Sequence, residues 1–261
     1  MLNTALCASH VGLLWSTHRV DLTTVAVPHT LTHLKLLLPA APARILEVGC
    51  GRGALAAELV DLGYEVTGVD RDAEAVKAAM ERGVVAIHGD VHDLSGIYDV
   101  VLFTRSLHHA ESLDGILEHA VNLLAADGQI IIEELFAWER VDYLAAGFLY
   151  DNRAMLVSAG LLDADHPSGD LLDAWIVGHK SLHQGSAMLT ALGRVGAGLT
   201  TVPTGMLWRL VDGRGGSWVE PGTHAGDVLG AMREAEERRI GAGELPAVGL
   251  LAAVRRRQLS F

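Results

Sequence analysis

The sequence has few cysteines: only Cys7 and Cys50 occur among its 261 residues. Two thiols are too few for a disulfide framework or for a four-ligand zinc site. We therefore expect neither a disulfide scaffold nor a metal centre in this protein.

Long apolar runs are also lacking. No stretch of about 18 uninterrupted apolar residues occurs, so we expect no membrane span. The N-terminal segment has no basic leader and is interrupted by Asn3, His10 and Ser16, a pattern that differs from a secretory signal. With neither a span nor a signal expected, the sequence predicts a cytoplasmic protein.

Basic residues are outnumbered: 20 lysines and arginines stand against 32 aspartates and glutamates, giving a formal net charge of -12. A surface this acidic repels phosphate backbones, which makes nucleic acid a poor candidate for the substrate. The densest basic run, Arg255–Arg257, lies near the C-terminal end, and three charges bind polyanions only weakly at moderate salt. We interpret this run as the solvated end of a strand.

What the sequence does contain is a large apolar fraction, since 50% of its residues are hydrophobic. This composition favours one large core and a single α/β domain over residues 1–261. Apolar β-rich runs alternate with amphipathic segments, which is typical of a doubly wound parallel sheet covered by helices on both faces. The predicted strands are 45–48, 65–69, 84–87, 99–103 and 129–134, and the predicted helices are 53–62, 73–82 and 112–124.

The rhythm of the sequence changes after residue 135. The predicted helices there are 136–160, 171–194 and 225–240, and the predicted strands are 199–211 and 247–254. His179 and His183 would share one face of the second of these helices, at a spacing that suits two metal ligands. No third ligand is evident nearby, so we interpret them as core or substrate-lining residues.

Three glycines follow the first predicted strand, and an acid ends the second. Gly49, Gly51 and Gly53 allow the backbone to approach a ligand that lies across the carboxyl ends of the strands. Asp70 follows Gly51 by 19 residues, which matches the spacing of about 20 for an acid that binds ribose hydroxyls. Because Gly49, Gly51 and Ala54 also fit the dinucleotide pattern G-x-G-x-x-G/A, this signal leaves an NAD-dependent oxidoreductase open.

Three further features accompany the glycines. Glu47 stands two residues before Gly49, the segment HGDVHDL places Asp90 after the third strand, and AADGQIII enters the fifth strand. The combination resembles the class I S-adenosylmethionine-dependent methyltransferases, above all the small-molecule branch related to quinone biosynthesis. Their motif E/D-x-G-x-G-x-G is present as Glu47–Gly53, and the resemblance covers about residues 30–135.

The resemblance implies a mostly parallel, seven-stranded Rossmann-like sheet whose late strands near 200–211 and 247–255 form an antiparallel pair. It also implies a division of the chain into four parts. These are an N-terminal helical cap (1–40), a cofactor-binding core (41–135), a helical insert over the substrate (136–198) and C-terminal strands with a helix (199–261).

The resemblance further implies roles for particular residues toward S-adenosyl-L-methionine and its product S-adenosyl-L-homocysteine. The glycine loop would contact the methionine end, Glu47 its ammonium group, Asp70 the ribose and Asp90 the adenine amine, with the Val91 N–H nearby. The cofactor-binding residues expected on this basis are Glu47, Gly49, Cys50, Gly51, Gly53, Asp70, Arg71, Asp90, Val91 and Thr104.

Methyl transfer to a hydroxyl or phenol requires positioning and a base that takes the proton. His108 and His109 follow the fourth strand, and Glu133 and Glu134 end the fifth, so that all four lie near the expected methyl group. We select His108, His109 and Glu134 as the catalytic candidates, with a packing or capping role as the alternative for each. A protein that binds the cofactor without transferring methyl is the third functional hypothesis.

The expected acceptor is a small apolar or aromatic molecule held under the helical insert. Aromatic side chains suit such a pocket, although each of them is also compatible with a core position. The candidates are Trp15, Trp138, Tyr143, Tyr150, Trp175 and Trp208.

Overall fold

The computed structural model describes residues 22–137, 139–211, 217–218 and 225–257 of the chain. Cys7, Trp15 and Trp138 lie outside these residues. Across the described ranges, no helix combines the length and the apolar character that crossing a membrane requires.

A seven-stranded sheet forms the centre of the molecule. Its strands are β1 (Arg44–Val48), β2 (Glu65–Asp70), β3 (Val85–His88), β4 (Tyr98–Thr104), β5 (Leu124–Leu135), β7 (Gly196–Thr204) and β9 (Gly249–Arg256). Their spatial order is β3-β2-β1-β4-β5-β9-β7, with the first five parallel and β9 antiparallel to both of its neighbours. The predicted doubly wound, mostly parallel seven-stranded sheet is therefore confirmed.

Eight helices and a two-stranded ladder surround the sheet in the described ranges. The helices are α1 (Leu22–Leu34), α2 (Ala54–Asp61), α3 (Ala73–Glu81), α4 (Leu113–Asn122), α5 (Tyr143–Ser158), α6 (Leu171–His179), α7 (Gly185–Val195) and α8 (Ala225–Gly241). The short ladder pairs β6 (Leu162–Asp163) with β8 (Ser217–Trp218).

Successive residues of a strand point to opposite faces of the sheet, so alternate residues pack against the helical layers on opposite faces. In β4, Val101 and Phe103 pack into the layer formed with α4 and α7, whereas Val100 and Leu102 pack into the layer formed with α1, α2 and α3. Because both faces are covered, the strands are apolar along most of their length. Residues at the carboxyl ends of β1, β2 and β4 line a cleft.

The boundary between α4 and β5 differs from the prediction. The helix ends at Asn122, and β5 begins at Leu124, so the Asp127-Gly128 pair lies inside the strand range. Tyr98 pairs with Leu124, and the next registered pair is Val100 with Gln129. Residues 125–128 therefore lie inside β5 at an irregularity in its pairing with β4 and do not form a separate turn before the strand.

The C-terminal half departs further from the predicted boundaries. The helix expected over 136–160 begins only at Tyr143, and the helix expected over 171–194 is two helices, α6 and α7. The strand expected over 199–211 ends at Thr204 and continues as a 3-10 turn over Leu207–Leu210. Pro203 is accommodated because β7 is an edge strand, where a missing N–H is tolerated.

A buried acid from α8 explains the end of β7. The carboxylate of Glu236 accepts hydrogen bonds from the backbone N–H groups of Met206, Leu207 and Trp208 at 2.8, 3.0 and 2.9 Å. These contacts satisfy donors at the start of the 3-10 turn and hold the chain away from the strand path. The basic run ends β9 as expected, with Arg255 and Arg257 exposed.

Helices α5 and α6 share one apolar cluster with α1 and α8. Trp175 is buried in this cluster and donates its Nε1–H to the Ala137 carbonyl at 3.0 Å. Tyr150 and Trp208 are buried in the same cluster, whereas Tyr143 is exposed. Tyr150 of α5, Trp175 of α6 and Trp208 of the 3-10 turn are therefore packing residues of one cluster, and the four-part division of the chain stays a prediction.

Candidate functional site

The glycine turn (Gly49–Gly53) follows the carboxyl end of β1, and its three glycines have positive φ. Gly49 has φ 75°, and a Cβ added there would lie 2.6 Å from the Cβ of Ser106. Gly53 has φ 74°, and its added Cβ would lie 2.7 Å from the Cβ of Ala79. Gly51, with φ 54°, has no heavy atom within 4 Å of an added Cβ. Gly49 and Gly53 therefore pack closely against neighbouring residues, whereas there is space beside Gly51 for a further group.

This difference predicts unequal costs for two alanine substitutions. We expect Gly53→Ala to lower the free energy of unfolding by about 2–4 kcal/mol, since backbone strain and a clash with α3 add together. Gly51→Ala should cost only about 1 kcal/mol, because strain alone applies. Urea unfolding of both variants measures the difference, and equal losses would contradict the described packing.

Asp70 joins the end of β2 to the glycine turn. Its Oδ2 accepts the Gly51 N–H at 2.8 Å, and its Oδ1 accepts the Asp72 N–H at 2.9 Å. A carboxylate offers about four acceptor sites, so each oxygen keeps capacity for one further donor. Asp70 is half-buried and lines the cleft described below, which places that capacity within reach of a ligand.

A cleft of about 310 Å³ runs along this edge of the sheet. That volume lies within the range of small-molecule sites. Of the residues selected from sequence, those that line it are Gly49, Asp70, Arg71, Asp90, Val91 and His109. Others that line it and were missed are Val48, Val69, Gly89, Phe103, Arg105, Ser106, Ala110 and Ile116.

Asp90 and Arg71 form one end of the cleft. The Oδ1 of Asp90 accepts the His92 N–H at 2.9 Å, and its Oδ2 accepts the Arg71 Nε–H at 2.8 Å. The His92 N–H is the main cause that holds the pKa of Asp90 below its usual value, and the Arg71 guanidinium adds to it. The side chain of Asp90 is thus an oriented anion at neutral pH.

Glu47 directly precedes Val48, which lines the cleft, and is itself almost wholly buried at 2% exposure. Its Oε1 accepts the Thr104 hydroxyl at 2.9 Å, whereas its Oε2 is buried with no hydrogen-bond partner among the described residues. Burial raises the pKa of Glu47 to about 7. A buried carboxylate oxygen without a donor suits a cationic ligand group.

Cys50 belongs to the glycine turn, but its thiol points into the core. An added Cβ on Gly68 of β2 would lie 2.6 Å from the Cys50 Sγ, so the sulfur packs against the β2 backbone. Burial raises the pKa of the thiol to about 12. The side chain is therefore an apolar filler rather than a reactive group.

The segment after β4 forms one wall of the cleft, and Glu134 anchors it. The Oε1 of Glu134 accepts the N–H groups of Ser106 and Leu107 at 2.9 and 2.6 Å, and its Oε2 lies 2.5 Å from His108 Nδ1. Glu134 is 0% exposed. Ser106 in turn donates its hydroxyl to the Val48 carbonyl at 2.6 Å, which ties this wall to the glycine turn.

The catalytic candidates therefore occupy different environments. His108 is buried and engaged with Glu134, whereas His109 is exposed and lines the cleft, with the two rings 4.0 Å apart. Glu134 faces backbone donors and His108. Of the three, His109 is the one that a bound molecule in the cleft would meet.

Glu133 lies at the centre of a buried ionic cluster. It accepts hydrogen bonds from Arg105 Nη1 at 2.7 Å, from Arg209 Nη1 at 3.2 Å and from the Thr30 hydroxyl at 3.1 Å. Burial by itself would raise the pKa of Glu133, but the Arg209 and Arg105 charges outweigh it and hold the pKa below its usual value. The cluster joins α1, β5 and the 3-10 turn to the wall of the cleft.

His179 and His183 do not share a helix face, and this prediction was wrong. His179 ends α6, and His183 lies in the connection before α7. His179 Nδ1 lies 2.8 Å from the Trp175 carbonyl, and His183 Nε2 lies 2.8 Å from the Ala110 carbonyl. Within the described ranges, no group of three or more histidine, cysteine or acidic side chains is arranged to hold a metal.

The strand order and the glycine turn define a doubly wound α/β domain with a ligand cleft at the carboxyl edge of its sheet. A family profile described as a methyltransferase domain matches residues 26–173. Because this match covers more than half of the chain, the protein belongs to the methyltransferase domain family.

Two curated relatives match part of the chain. The ubiquinone biosynthesis O-methyltransferase of Pectobacterium atrosepticum is 32% identical over 104 residues, covering 35% of this chain and 42% of the relative. Nodulation protein S of Azorhizobium caulinodans is 38% identical over 96 residues, covering 33% of this chain and 46% of the relative. The matched region thus spans less than half the full length of either relative.

Among solved structures, a SAM-dependent methyltransferase from Thermotoga maritima, described as a possible histamine N-methyltransferase, is similar with a TM-score of 0.53. The match covers 89% of this chain and 90% of that one at 13% identity. At this identity the likeness shows the shared fold.

Proposed function

We propose that this protein transfers a methyl group from S-adenosyl-L-methionine to a small-molecule acceptor and releases S-adenosyl-L-homocysteine. The observation that carries the proposal is the unpartnered Oε2 of the buried Glu47, which directly precedes Val48 in the lining of a cleft that Gly49 and Asp70 also line. This arrangement offers an acceptor for an ammonium group and an acceptor for ribose hydroxyls along one edge. The matched family, the methyltransferase domain, supports the same activity.

Each residue has a part in holding the cofactor. Asp70 accepts the ribose hydroxyls with its remaining acceptor capacity, and the open backbone at Gly51 faces the amino-acid end. Asp90 and the Val91 N–H receive the adenine edge, while Arg71 holds Asp90 in place. When bound, the cofactor supplies a methyl group on a sulfonium that is electrophilic without further activation.

The dinucleotide alternative loses its support. An NAD-binding sheet of this class follows the order 3-2-1-4-5-6 with parallel strands, whereas here the antiparallel β9 lies between β5 and β7. Glu47 adds a buried carboxyl group directly before the glycine turn, and its ionised form would repel a pyrophosphate there.

His109 is the proposed base for an acceptor that carries a proton to lose. It lines the cleft, and the ring nitrogen of a neutral imidazole can accept a proton from the acceptor. Glu134 and His108 act as positioning residues, because the Glu134 carboxylate holds the backbone of the segment that carries His109.

We propose a small molecule as the acceptor and the cytoplasm as the location. A net charge of -12 opposes approach of nucleic acid, and the matched Pectobacterium atrosepticum relative is named for ubiquinone biosynthesis. The charge argues against a nucleic acid, and the name of the relative favours a small apolar or aromatic acceptor.

Asp70→Asn tests the proposal. We expect it to weaken S-adenosyl-L-homocysteine binding about 10- to 100-fold, because one charge-assisted acceptor of the ribose hydroxyls is lost. Isothermal titration calorimetry measures the change, with NADH as the competing ligand class. Asp72→Asn is the matched control, since Asp72 caps α3 outside the cleft and asparagine also caps helices well.

Unchanged affinity in Asp70→Asn, or tight binding of NADH by the wild-type protein without binding of S-adenosyl-L-homocysteine, would refute the proposal. Binding of the product without methyl transfer to any member of a broad acceptor panel would favour the non-catalytic alternative.

A further inference from the structure

We propose that Arg105 binds the carboxylate of the cofactor's amino-acid end, and that Arg105 and Glu47 together make the cleft specific for a zwitterion. This inference rests on the proposed function, which names the cofactor but assigns no residue to its carboxylate.

Arg105 lies at the correct end of the cleft. It follows β4 directly and lines the cleft beside Ser106, whose Cβ and Oγ lie against the position of an added Gly49 Cβ. The second arginine of the cleft, Arg71, is engaged with Asp90 at the other end. The two arginines of the cleft thus have different acidic partners, and Arg105 is the one next to Ser106, which lies against Gly49 of the glycine turn.

The Arg105 guanidinium keeps hydrogen-bonding capacity for a ligand. Its Nη1 donates to Glu133, and this is the one hydrogen bond of the guanidinium within the described ranges. Glu133 also serves Arg209 and Thr30, so a single carboxylate faces two guanidinium groups. Since arginine has five N–H donors in a planar fork that matches a carboxylate, and this side chain is 26% exposed, most of its donors are available to an anion.

The backbone of Arg105 is held in an unfavourable conformation. Its φ is 55°, a region in which non-glycine residues are strained by about 1–3 kcal/mol. The Arg105 N–H nevertheless donates to the Glu133 carbonyl at 2.7 Å, so the strand ladder keeps the residue there. A strained arginine where glycine would be relaxed indicates that the side chain is needed in the cleft.

Glu47 and Arg105 also act on each other electrostatically. Burial raises the pKa of Glu47, while the Thr104 hydroxyl and the Arg105 charge oppose that effect. The geometry agrees, because the Thr104 hydroxyl donates to Glu47 Oε1 at 2.9 Å and Arg105 is the next residue along the chain. A carboxyl group with an unpartnered oxygen and a guanidinium with unused donors thus belong to adjoining positions. This pair is complementary to a ligand that carries an ammonium and a carboxylate on one carbon.

The test compares two ligands that differ in the carboxylate. Wild-type protein and Arg105→Gln are titrated calorimetrically with S-adenosyl-L-homocysteine and with its decarboxylated analogue, S-adenosyl-3-thiopropylamine. We expect the wild type to prefer the carboxylate-bearing ligand about 10- to 100-fold. In Arg105→Gln the ratio should fall below about threefold.

Arg71→Gln is the matched control, because it removes the same charge from the other end of the cleft. It should weaken both ligands and preserve their ratio. Should Arg105→Gln fail to fold, Arg105→Lys keeps the charge but loses the fork, and the ratio should drop about 3- to 10-fold.

Two results overturn the inference: a wild-type protein that binds both ligands within about twofold, or a folded Arg105 variant that keeps the wild-type ratio. If the wild type binds neither ligand, the proposed function itself fails. Binding without discrimination removes only the role of Arg105.

Discussion

Glu133→Ala is expected to lower the free energy of unfolding by about 3–5 kcal/mol, because it leaves a buried guanidinium without its counter-ion. Arg209 is only 8% exposed, and its Nε already lacks a partner among the described residues. Burial lowers the pKa of Arg209 to about 10, with the Glu133 charge opposing that shift. Removal of Glu133 therefore leaves the buried Arg209 guanidinium without a counter-ion in a region that solvates charge poorly.

Urea unfolding at pH 7 measures this effect, with Glu65→Ala as the matched control. Glu65 is an exposed acid at the start of β2, and its removal should change the free energy by less than about 0.5 kcal/mol. The double variant Glu133→Leu with Arg209→Met should lose much less than the sum of its single variants, since no buried charge is left alone. A loss below about 1 kcal/mol in Glu133→Ala would show that the cluster is solvated after all.

Glu47→Gln is expected to stabilise the folded protein at pH 8 and to weaken cofactor binding at the same time. The folded-state pKa of Glu47 is about 7, raised from 4.5 by burial. The native state thus binds more protons than the unfolded state between these values, so stability falls as the pH rises from 4.5 to 7 and stays lower above. The difference corresponds to about 3 kcal/mol.

A neutral amide avoids this penalty. We expect Glu47→Gln and the wild type to differ by less than about 1 kcal/mol at pH 5, and the variant to be more stable by up to about 3 kcal/mol at pH 8. Urea unfolding at the two pH values measures the slope, and Glu65→Gln controls for surface charge. The same pH dependence in wild type and Glu47→Gln would contradict the assignment of this titration to Glu47.

Cofactor binding is expected to shift the pKa of Glu47 in the opposite direction from burial. The ammonium group of the ligand stabilises the ionised form of Glu47, so binding to the wild type should release protons near pH 6.5 to 7. Calorimetry in buffers of different ionisation enthalpy detects this release, which Glu47→Gln should lack. A residue that destabilises the free protein and strengthens binding is typical of a functional site.

The framework of this protein was readable from the sequence. The run from Ile45 to Val48, the glycines after it and the acid at position 70 combine local signals: an apolar strand, a glycine-rich turn and a strand-end acid. The structure confirms the seven-stranded sheet and the place of Asp70 at the end of β2, and it adds that Gly49, Gly51 and Gly53 have positive φ. Such features depend on neighbours a few residues away, which a pattern records.

The contacts that form the wall of the cleft join residues that are far apart in the sequence, so they could not be predicted from local patterns. Glu134 was selected as a possible base, but its contacts are N–H groups 27 and 28 residues earlier. Arg105 was not selected, because its importance comes from lining the cleft and from Glu133, a residue 28 positions away. Likewise, Glu236 ends β7 through hydrogen bonds across 28 to 30 residues.

By itself, the sequence determined the order of strands and helices as far as β5, the glycine turn and the acids at the strand ends, because local periodicity and backbone conformation decide these. Only the tertiary structure decided which acids face the cleft and which are buried as anchors, and how β7 gives way to a 3-10 turn. The physical reason is that a buried charge must find donors wherever the fold brings them, at any separation in sequence.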